Sequence, residues 1–487
     1  MNELALPRPA ATFWSFREGL WLSAVALIAA YLVDDWIGGA SVVVLWMVWH
    51  YLRTDDGLPI LAFALTFQWF QVTAGLWYFA VTGRRIATME ISDYRPMVLI
   101  GLGCVLALTA GLYWGMALIR RSRIGRGAER HAFIPLGWVG LITLYVCALA
   151  GQGFMQQLAY QYPDLTQPIL TLRFVHLAVL FVILRRLIHP VARWPLLVPL
   201  IGLELFLGVT GFFAGFREPL IMAAMALFQA FDARRVQHWL ALGVCASLML
   251  AISVFWIGVR RDFRAEFDNE TFSQSRGAQF DYLTSLYQTW SQQEASDLVD
   301  NVDQFVDRMW VVYYPALAVS RVPSALAHTD GALMSAALQH VFSPRVFFPT
   351  KAEVQNDSEM VRKYSGVWVA GDQTGTSIAF GYAAESYIDF GVPWMFVPML
   401  AFGFLMGLGY QVLSSKIRHD ELRAGLVAVI FWIGLYLFER SWVKTIGVSG
   451  TMFVYLAVPA LLLDYYLCRF DLPAGEPVFD PSGRVVS

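Results

Sequence analysis

Long apolar runs recur along almost the whole chain, and short polar segments separate them. Of the 487 residues, 57% are hydrophobic and only 15% are Asp, Glu, Lys or Arg, with a mean hydropathy of +0.53. A soluble domain carries about 25% charged residues, and a helix needs about 20 mostly apolar residues to cross a bilayer. The pattern therefore predicts an all-α, polytopic transmembrane helical bundle. The candidate spans are twelve runs, approximately 15–33, 36–52, 58–82, 97–119, 132–158, 168–188, 194–215, 218–232, 239–260, 391–413, 423–438 and 446–468.

The distribution of arginine and lysine among the short loops predicts the orientation of the bundle. The loop 120–130, RRSRIGRGAER, contains five arginines, and such a loop strongly prefers the cytoplasm. If all twelve spans are present, the loops 185–193, 232–238 and 414–423 fall on the same side, and both termini are expected inside. The basic loop 84–95 argues against this orientation, because the same count places it outside.

This topology places one long segment outside the cytoplasm and divides the chain into four parts. Within that segment, LVDNVDQFVDRMWVVYY has apolar residues at helical spacing, with Asp300, Asp303 and Asp307 on another face. Such helices are expected to lie on the membrane surface or to cap the bundle. The four parts are an N-terminal membrane region of about nine spans (1–260), a large periplasmic loop (261–390), a C-terminal membrane region of about three spans (391–468) and a cytoplasmic tail (469–487).

Composition and motifs exclude several classes of function. The net charge of −2 provides no basic surface for nucleic acid. The four cysteines lie in apolar runs without CxxC spacing, which predicts neither a metal site nor a disulfide framework. HExxH, GxSxG and GxxxxGK[ST] do not occur in the sequence, so no cofactor or metal is expected. The N-terminus lacks a short apolar core with a cleavage site, so the first span is expected to be retained.

Several cations occur in segments that the predicted topology places on the outer side. Arginine matches phosphate oxygens with a planar fork, and lysine adds a point charge. Each cation also has an ordinary explanation, as a helix-end residue that reaches the interface, a lipid anchor or an incidental loop charge. The candidates are Arg217 in GFFAGFREPL, Arg260, Arg261 and Arg264 in GVRRDFR, Arg345 and Lys351 in SPRVFFPTK, and Arg440 in FERSWVK.

A pair of carboxylates follows in GYAAESYIDFGVPW. Glu385 and Asp389 are four residues apart and share one face if the segment is helical, with Tyr387 to the side. A carboxylate against an apolar wall is a candidate general base; the alternative is that Glu385 pairs with a nearby arginine. Cations around such a carboxylate predict a site for a lipid-linked phosphate or pyrophosphate. The cations would neutralise the leaving group while the carboxylate takes a proton from an attacking hydroxyl.

Two further groups of acidic residues are expected to have other roles. Glu204 lies inside a candidate span, where it is expected to pair with an arginine or to line a cavity. Asp34 and Asp35 are expected to cap the first span on the outer side.

PRVFFPTK followed by ESYIDFG resembles the late segment of the O-antigen (Wzy-type) and oligosaccharide repeat-unit polymerases. In those proteins a PR…P.K stretch precedes E.Y.(N/D)FG and a membrane span. GFREPLIMAAMALFQAF and VRRDFR are similar to their earlier arginine turn and to the arginine-bearing end of the span before the large outer loop. The resemblance covers about 200 residues, from about 200 to 415. It departs from the family pattern where VPW, rather than a second glycine, follows FG, and where Glu218 follows Arg217.

The resemblance implies a GT-C-type membrane glycosyltransferase of the bacterial inner (plasma) membrane. Such an enzyme transfers a glycan from undecaprenyl pyrophosphate to the non-reducing end of a lipid-linked repeat unit, without metal or nucleotide sugar. Its implied partners are the undecaprenyl-pyrophosphate-linked oligosaccharide, membrane lipids and a chain-length regulator. By the resemblance, Arg217, Arg264, Arg345 and Lys351 would hold the pyrophosphates, Glu385 would activate or orient the acceptor hydroxyl, and Tyr387 and Asp389 would shape the pocket.

Three alternatives stay open. One is an O-antigen-ligase-like glycan transferase, which nothing in the sequence separates from a polymerase. Another is a glycosyltransferase with its catalytic acid in the first outer loop, where Asp34 or Asp35 would serve. The third is a transporter or flippase of lipid-linked oligosaccharide, although transporters usually show repeat symmetry and broken midplane helices.

Overall fold

The computed structural model is helical, with no strand in the residues that it describes. These are residues 16–54, 57–121, 137–162, 166–188, 193–209, 217–232, 234–266, 276–343, 348, 351, 356–371 and 377–470. The greater part of the arginine-rich loop (122–136) and of the predicted tail (471–487) lies outside this description.

The helices follow one another along the chain. They are α1 (Phe16–Val33), α2 (Trp36–Tyr51), α3 (Ile60–Thr82), α4 (Ala87–Glu90), α5 (Arg95–Arg121), α6 (Trp138–Gln161), α7 (Thr166–Leu172), α8 (Val175–Ile188), α9 (Trp194–Val209), α10 (Arg217–Gln229), α11 (Val236–Glu266), α12 (Arg276–Ser291), α13 (Ala295–Met309), α14 (Tyr313–Arg321), α15 (Ala332–Phe342), α16 (Asp357–Ser365), α17 (Tyr382–Phe390), α18 (Phe396–Lys416), α19 (Asp420–Leu435), α20 (Trp442–Met452) and α21 (Val458–Phe470), with a π-helical turn at Phe453–Ala457 between the last two.

Within the described residues, six helical segments are long and apolar enough to cross a membrane, and this confirms the predicted membrane protein in its coarse form. Shorter apolar helices, including α1, α2, α6 and α9, accompany them. The count of twelve spans and the location of the termini remain predictions. The six helical segments are Ile60–Thr82, Arg95–Arg121, Pro168–Ile188, Val236–Phe263, Phe396–Lys416 and Trp442–Leu467.

Local sequence explains where several of these helices begin and end. The Asp35 carboxylate accepts a hydrogen bond from the Ile37 N–H at 3.1 Å and so caps the start of α2. Gly83 ends α3 with a φ of 69°, a conformation that glycine adopts without steric cost. Its N–H donates to the Phe79 carbonyl at 2.8 Å. A capping aspartate and a left-handed glycine thus set these two helix boundaries near the positions that the hydropathy pattern predicts.

Helices α5 and α18 pack in parallel with their backbones in direct contact. A Cβ atom at Gly403 would lie 2.7 Å from the Leu108 carbonyl oxygen, and a Cβ at Gly407 would overlap the Leu112 carbonyl. Helix backbones can approach this closely only where the facing residues are small. Inside lipid the hydrophobic effect does not drive helices together, so close packing of this kind stabilises their association. This helix pair holds the C-terminal membrane helices against the N-terminal ones.

Replacing Gly407 by alanine should therefore destabilise the protein by about 1 to 3 kcal/mol, because the new methyl group overlaps backbone and forces the helices apart. Thermal unfolding in detergent measures this. Gly243→Ala is the matched control, since nothing lies within 4 Å of its Cβ position, and it should leave the midpoint unchanged or slightly raised. Equal midpoints for the two variants would contradict the contact between α5 and α18.

Loops that are distant in the sequence meet at two opposite ends of the helix bundle. At the Arg185 end, the Arg185 guanidinium at the end of α8 pairs with Asp420 at the start of α19 (2.6 Å). Arg120, at the end of α5, donates to Gln411 near the end of α18 at this same end (3.1 Å). At the Glu385 end, the segment after α3, the helices from α12 to α17 and the turn 436–441 contact one another.

The basic loop 84–95 lies at the Glu385 end, where two of its three arginines pair with acidic residues. The Arg84 guanidinium pairs with Asp303 of α13 at 2.7 Å, and Arg95 pairs with Asp35 at 3.0 Å. Arginines that are paired within the protein count less toward membrane orientation than free ones. Arg84 and Arg95 are thus paired within the protein, and the orientation of the bundle remains a prediction.

Helix α13 lies against one end of the bundle, and both its acidic face and its apolar side contact the bundle. Asp303 accepts a hydrogen bond from the Tyr78 hydroxyl, and Asp307 accepts one from Thr88. On the apolar side, the Trp310 indole is 1% exposed and donates to the Val72 carbonyl at 2.9 Å. Of the two expected positions for this amphipathic helix, the structure shows the one against the bundle.

Candidate functional site

A turn between α19 and α20 forms the floor of the candidate site at the Glu385 end. The Phe438 N–H donates to the buried Gln71 side chain at 2.8 Å, and the Tyr382 N–H donates to the Arg440 carbonyl, also at 2.8 Å. Gly381 precedes α17 with a φ of 89°, and a Cβ there would lie 2.5 Å from the Phe438 carbonyl oxygen. The start of α17 and the turn 436–441 are therefore fixed against each other.

Glu439, on this turn, is surrounded by cations. Burial raises the pKa of the Glu439 carboxyl and outweighs four positive charges that lower it, in decreasing order Arg308, Arg217, Arg440 and Lys444. The side chain is nevertheless exposed to solvent. The carboxyl therefore lies among these four cations at a position that solvent reaches. We call the site formed by Glu439 and these four cations the cation recess.

The two arginines with the largest effects on the pKa of Glu439 repel each other. Burial lowers the pKa of the Arg217 guanidinium, and the charge of Arg308 lowers it further. An arginine keeps its proton in proteins even so. The recess therefore holds two fixed positive charges from α10 and α13 that an anion would stabilise.

Arg308 is a residue of the recess that the sequence analysis did not select. It is exposed and forms no hydrogen bond or ion pair with any residue that the structure describes. Its neighbours hold it in place, because Asp307 is bonded to Thr88 and the Trp310 indole to the Val72 carbonyl. The signal in the sequence was a single cation in a helix with four aspartates, ASDLVDNVDQFVDRM.

Arg440 and Lys444 are more strongly engaged than Arg308. Arg440 donates to the Ile433 carbonyl at 2.7 Å, and its guanidinium lies 5.6 Å from the centre of the Tyr436 ring. Lys444 pairs with Asp357 at 2.5 Å and donates to the Ser377 hydroxyl at 3.1 Å. Arg440 was a predicted substrate-binding residue, and the structure places it in the recess beside Arg217.

Glu385, the predicted catalytic carboxylate, lies next to the recess and accepts the Trp442 N–H at 2.8 Å. Burial raises its pKa to about 8, and the charges of Asp357 and Asp389 raise it too, against the Trp442 N–H and Lys444. Near pH 7 most of these carboxyl groups hold a proton. The alternative expectation, that Glu385 pairs with an arginine, is wrong, since its described partner is a backbone N–H.

Asp389 and Tyr387 make contacts away from the recess. The Asp389 carboxylate is 1% exposed and accepts the Leu333 and Met334 N–H groups at 3.0 and 2.8 Å, so it caps the start of α15. The Tyr387 hydroxyl donates to the Val322 carbonyl at 3.0 Å. Although Asp389 is one helical turn from Glu385, as predicted, its side chain is used to join α17 to α15.

The other predicted cations are not brought to the recess by any described contact. The Lys351 ammonium donates to the His340 carbonyl in the last turn of α15, a position that a cation stabilises. Arg260 and Arg261 lie on α11, where Arg261 is exposed. Arg264 lies on the same helix, but its side chain is not described, and Arg345 lies outside the described residues.

Two further groups of acids have defined partners. Glu204 is 4% exposed, and its Oε1 accepts the Tyr145 hydroxyl at 2.5 Å and lies 2.8 Å from His176 Nε2. The expected arginine partner is therefore wrong. Asp35 caps α2 and pairs with Arg95, so it starts the second helix rather than ending the first.

Comparison with known proteins gives one family. A family model described as a domain of unknown function (DUF8712) matches residues 138–420, more than half of the chain. No curated protein and no solved structure matches the chain. The matched range contains Arg217, Arg308 and Glu385 but ends before Glu439, Arg440 and Lys444.

Proposed function

Since the chain belongs to the DUF8712 family, described only as a domain of unknown function, we propose a function from the cation recess itself. The protein is a membrane glycosyltransferase that binds a lipid-linked pyrophosphate in the recess and transfers its glycan to a second lipid-linked acceptor. The observation that carries the proposal is the group of cations from α10, α13 and α20 around Glu439, at one end of a membrane bundle.

Electrostatics supports a pyrophosphate as the ligand. Arg217 and Arg308 are held near each other against their repulsion, which the carboxylates of Glu218 and Glu439 oppose at Arg217. Glu385 adds little negative charge near pH 7, because it is mostly protonated. Arginine forks form charge-assisted hydrogen bonds to phosphate oxygens, so a diphosphate would relieve the repulsion.

The same groups suit transfer chemistry. The acceptor hydroxyl oxygen forms a bond to the anomeric carbon, while the bond from that carbon to the pyrophosphate oxygen breaks. The lipid pyrophosphate leaves with the electron pair, and the recess cations stabilise the charge that develops on it. The hydroxyl proton passes to a carboxylate, for which Glu385 is the proposed base in its ionised form.

The resemblance to the repeat-unit polymerases supplies the finer proposal. The donor is an undecaprenyl-pyrophosphate-linked oligosaccharide, and the product is an O-antigen, capsule or exopolysaccharide chain that is extended in the bacterial inner membrane. A chain-length regulator is the proposed protein partner. A ligase of the O-antigen type would use the same recess with a different acceptor.

The direct test uses the purified full chain in nanodiscs. Undecaprenyl-pyrophosphate-linked repeat units, isolated from the bacterium that makes the protein, are supplied as substrate. We expect products with two and more repeat units, together with released undecaprenyl pyrophosphate, both detected by mass spectrometry. Binding of undecaprenyl pyrophosphate alone is measured in parallel. A protein that neither binds this lipid nor forms longer glycans is not this enzyme.

One observation favours the transporter as a second candidate. Tyr145, His176 and Glu204 are all at least 94% buried and meet between α6, α8 and α9, and ionisable groups inside a membrane bundle are usually functional. A transporter would move the labelled lipid-linked unit across a proteoliposome membrane without lengthening it, whereas the proposed enzyme lengthens it.

A further inference from the structure

The turn after α16 holds an exposed tryptophan in a fixed place. Trp368 is 77% exposed, whereas the next residue, Val369, is 3% exposed and belongs to a buried apolar cluster. Gly366 begins the turn with a φ of 76°, and its N–H donates to the Arg362 carbonyl at 3.1 Å. The backbone on both sides of the exposed side chain is therefore fixed. We call residues 366–371 the α16 turn.

The Arg362 guanidinium supports the indole from one side. Its Nε and Nη2 donate to the Val369 carbonyl at 2.9 and 2.7 Å, and its Cζ lies 5.4 Å from the centre of the Trp368 ring. A cation over an aromatic face is attracted by the ring. Because most of the side chain is still exposed, the indole presents an apolar surface with a polar N–H edge to solvent.

Three cations lie at this turn. Arg321, in the last turn of α14, packs against the turn so closely that a Cβ at Gly366 would overlap its guanidinium. Lys363 is exposed beside Arg362. Within the described part of the chain, no ion pair joins any of the three to a carboxylate, and this includes Glu359, which is exposed one turn earlier on α16. The positive charge at the α16 turn is therefore available to an anionic ligand.

Helix α16 connects this turn with the cation recess. At its start, Asp357 pairs with Lys444 of the recess at 2.5 Å. Arg362 lies five residues later, about 7.5 Å along the helix axis. The turn also comes back along the helix, since a Cβ at Gly371 would lie 3.7 Å from the Ser358 Cβ. A glycan whose reacting end lies in the recess would therefore reach the turn within a few sugar residues.

We infer that the α16 turn binds an acidic sugar residue of the glycan, with the apolar face of the pyranose on the Trp368 indole and the sugar carboxylate on the cations. The C–H groups of a pyranose face match the indole, and guanidinium and ammonium groups form charge-assisted hydrogen bonds to carboxylates. The inference rests on the proposed function, since the ligand at this end is taken to be a glycan, and it adds the charge of the substrate.

The composition of α16 favours a glycan over a membrane anchor. Tryptophans that anchor a protein at the lipid interface lie at the ends of apolar spans. Helix α16 has acidic residues in its first turn and basic residues in its last turn, and it is not one of the segments long and apolar enough to cross a membrane. The exposed indole therefore belongs to a polar surface that continues to the recess.

Isothermal titration calorimetry of the full chain in nanodiscs tests the inference with two matched probes. One is a tetrasaccharide with alternating glucuronic acid residues, and the other is the same tetrasaccharide with its carboxylates reduced to alcohols. We expect wild type to bind the acidic probe about tenfold more tightly, as for two or three partly exposed charge pairs. Equal affinities, or no binding of either probe, would overturn the inference.

Variants assign the binding to the turn. Trp368→Ala should weaken binding of both probes about tenfold, because stacking does not depend on the carboxylate. Lys363→Gln should lower the affinity for the acidic probe about two- to fivefold and leave that for the reduced probe unchanged. Lys363 is exposed and its described contact is with the Tyr364 ring, so this variant is expected to fold. Trp394→Ala is the matched control, because Trp394 is 68% exposed but lies just before α18.

Chain extension separates this inference from the proposed function. With an acidic acceptor, Trp368→Ala should raise KM about tenfold and keep kcat within about twofold of wild type. If wild type extends chains but Trp368→Ala binds both probes as wild type does, the turn is a membrane anchor or a plain surface, and the inference fails alone. If wild type binds the acidic probe in the expected way but extends no chains, the sugar site stands and the proposed enzyme does not.

Discussion

Arg308→Ala should lower glycan transfer by about 10²- to 10³-fold, the usual effect of removing one group that stabilises developing charge. Arg308 is exposed in the cation recess, and it is the strongest of the four charges that act on Glu439. The rate of chain extension in nanodiscs and the length of the surface glycan in cells measure the effect. Arg308→Lys keeps the charge without the planar fork and should recover part of the rate.

The matched control for this prediction is Arg84→Ala. Arg84 lies at the same end of the bundle and also contacts α13, but its guanidinium is 51% exposed and pairs with Asp303 outside the recess. Chain extension by Arg84→Ala should stay within about twofold of wild type, because exposed ion pairs contribute little. If Arg308→Ala extends chains at the wild-type rate, Arg308 is not part of the site. The proposed function would still stand, provided that the wild-type protein binds undecaprenyl pyrophosphate.

Glu385→Gln should lower turnover by about 10²- to 10⁴-fold while the lipid donor still binds, because glutamine cannot accept the hydroxyl proton. The glutamine oxygen can still accept the Trp442 N–H, which limits damage to the turn. A base acts only when it is ionised, and the pKa of Glu385 is about 8. Wild-type turnover should therefore rise with pH from 6 and level off above about 8, whereas the residual rate of Glu385→Gln should lack this rise.

The pH dependence of stability helps to distinguish a catalytic role of Glu385 from a purely structural one. The pKa of Glu385 is raised from 4.5 to about 8 in the folded state, so the folded protein holds a proton that the unfolded chain has lost. Stability from this group is fully present below about pH 4.5 and is lost as the pH rises through 8. If Glu385 serves only to hold the turn, Glu385→Gln will keep wild-type turnover and show only a weaker loss of stability with pH.

The membrane architecture was predictable from hydropathy because each long helix satisfies its own backbone hydrogen bonds and needs only a run of apolar residues. The sequence did not show that arginines of the loop 84–95 are paired within the protein. Arg84 is neutralised by Asp303, which lies 219 residues further along the chain, and a count of charges along the sequence cannot include such a partner. The same holds for Glu204, whose partners Tyr145 and His176 are uncharged or weakly basic residues from neighbouring helices.

The candidate site was predictable in part. Arg217 and Arg440 were predicted as outer-side cations that match phosphate, and Glu385 as a carboxylate against an apolar wall; all three lie at or beside the recess. Helical spacing correctly placed Asp389 one turn from Glu385, but the spacing does not show that α15 presents its free N–H groups there. Arg308 was missed because helix α13 was read only as an amphipathic surface element.

The hydrogen bonds between the start of α17 and the turn 436–441 have a consequence for dissecting the protein. They join the family-matched segment, which ends at residue 420, to the turn that presents Glu439 and Arg440. A fragment that stops at residue 420 would expose the apolar underside of α17 and would carry an incomplete set of ligating groups. Co-expressing the two halves as separate polypeptides, cut between α18 and α19, should therefore restore what neither half provides alone.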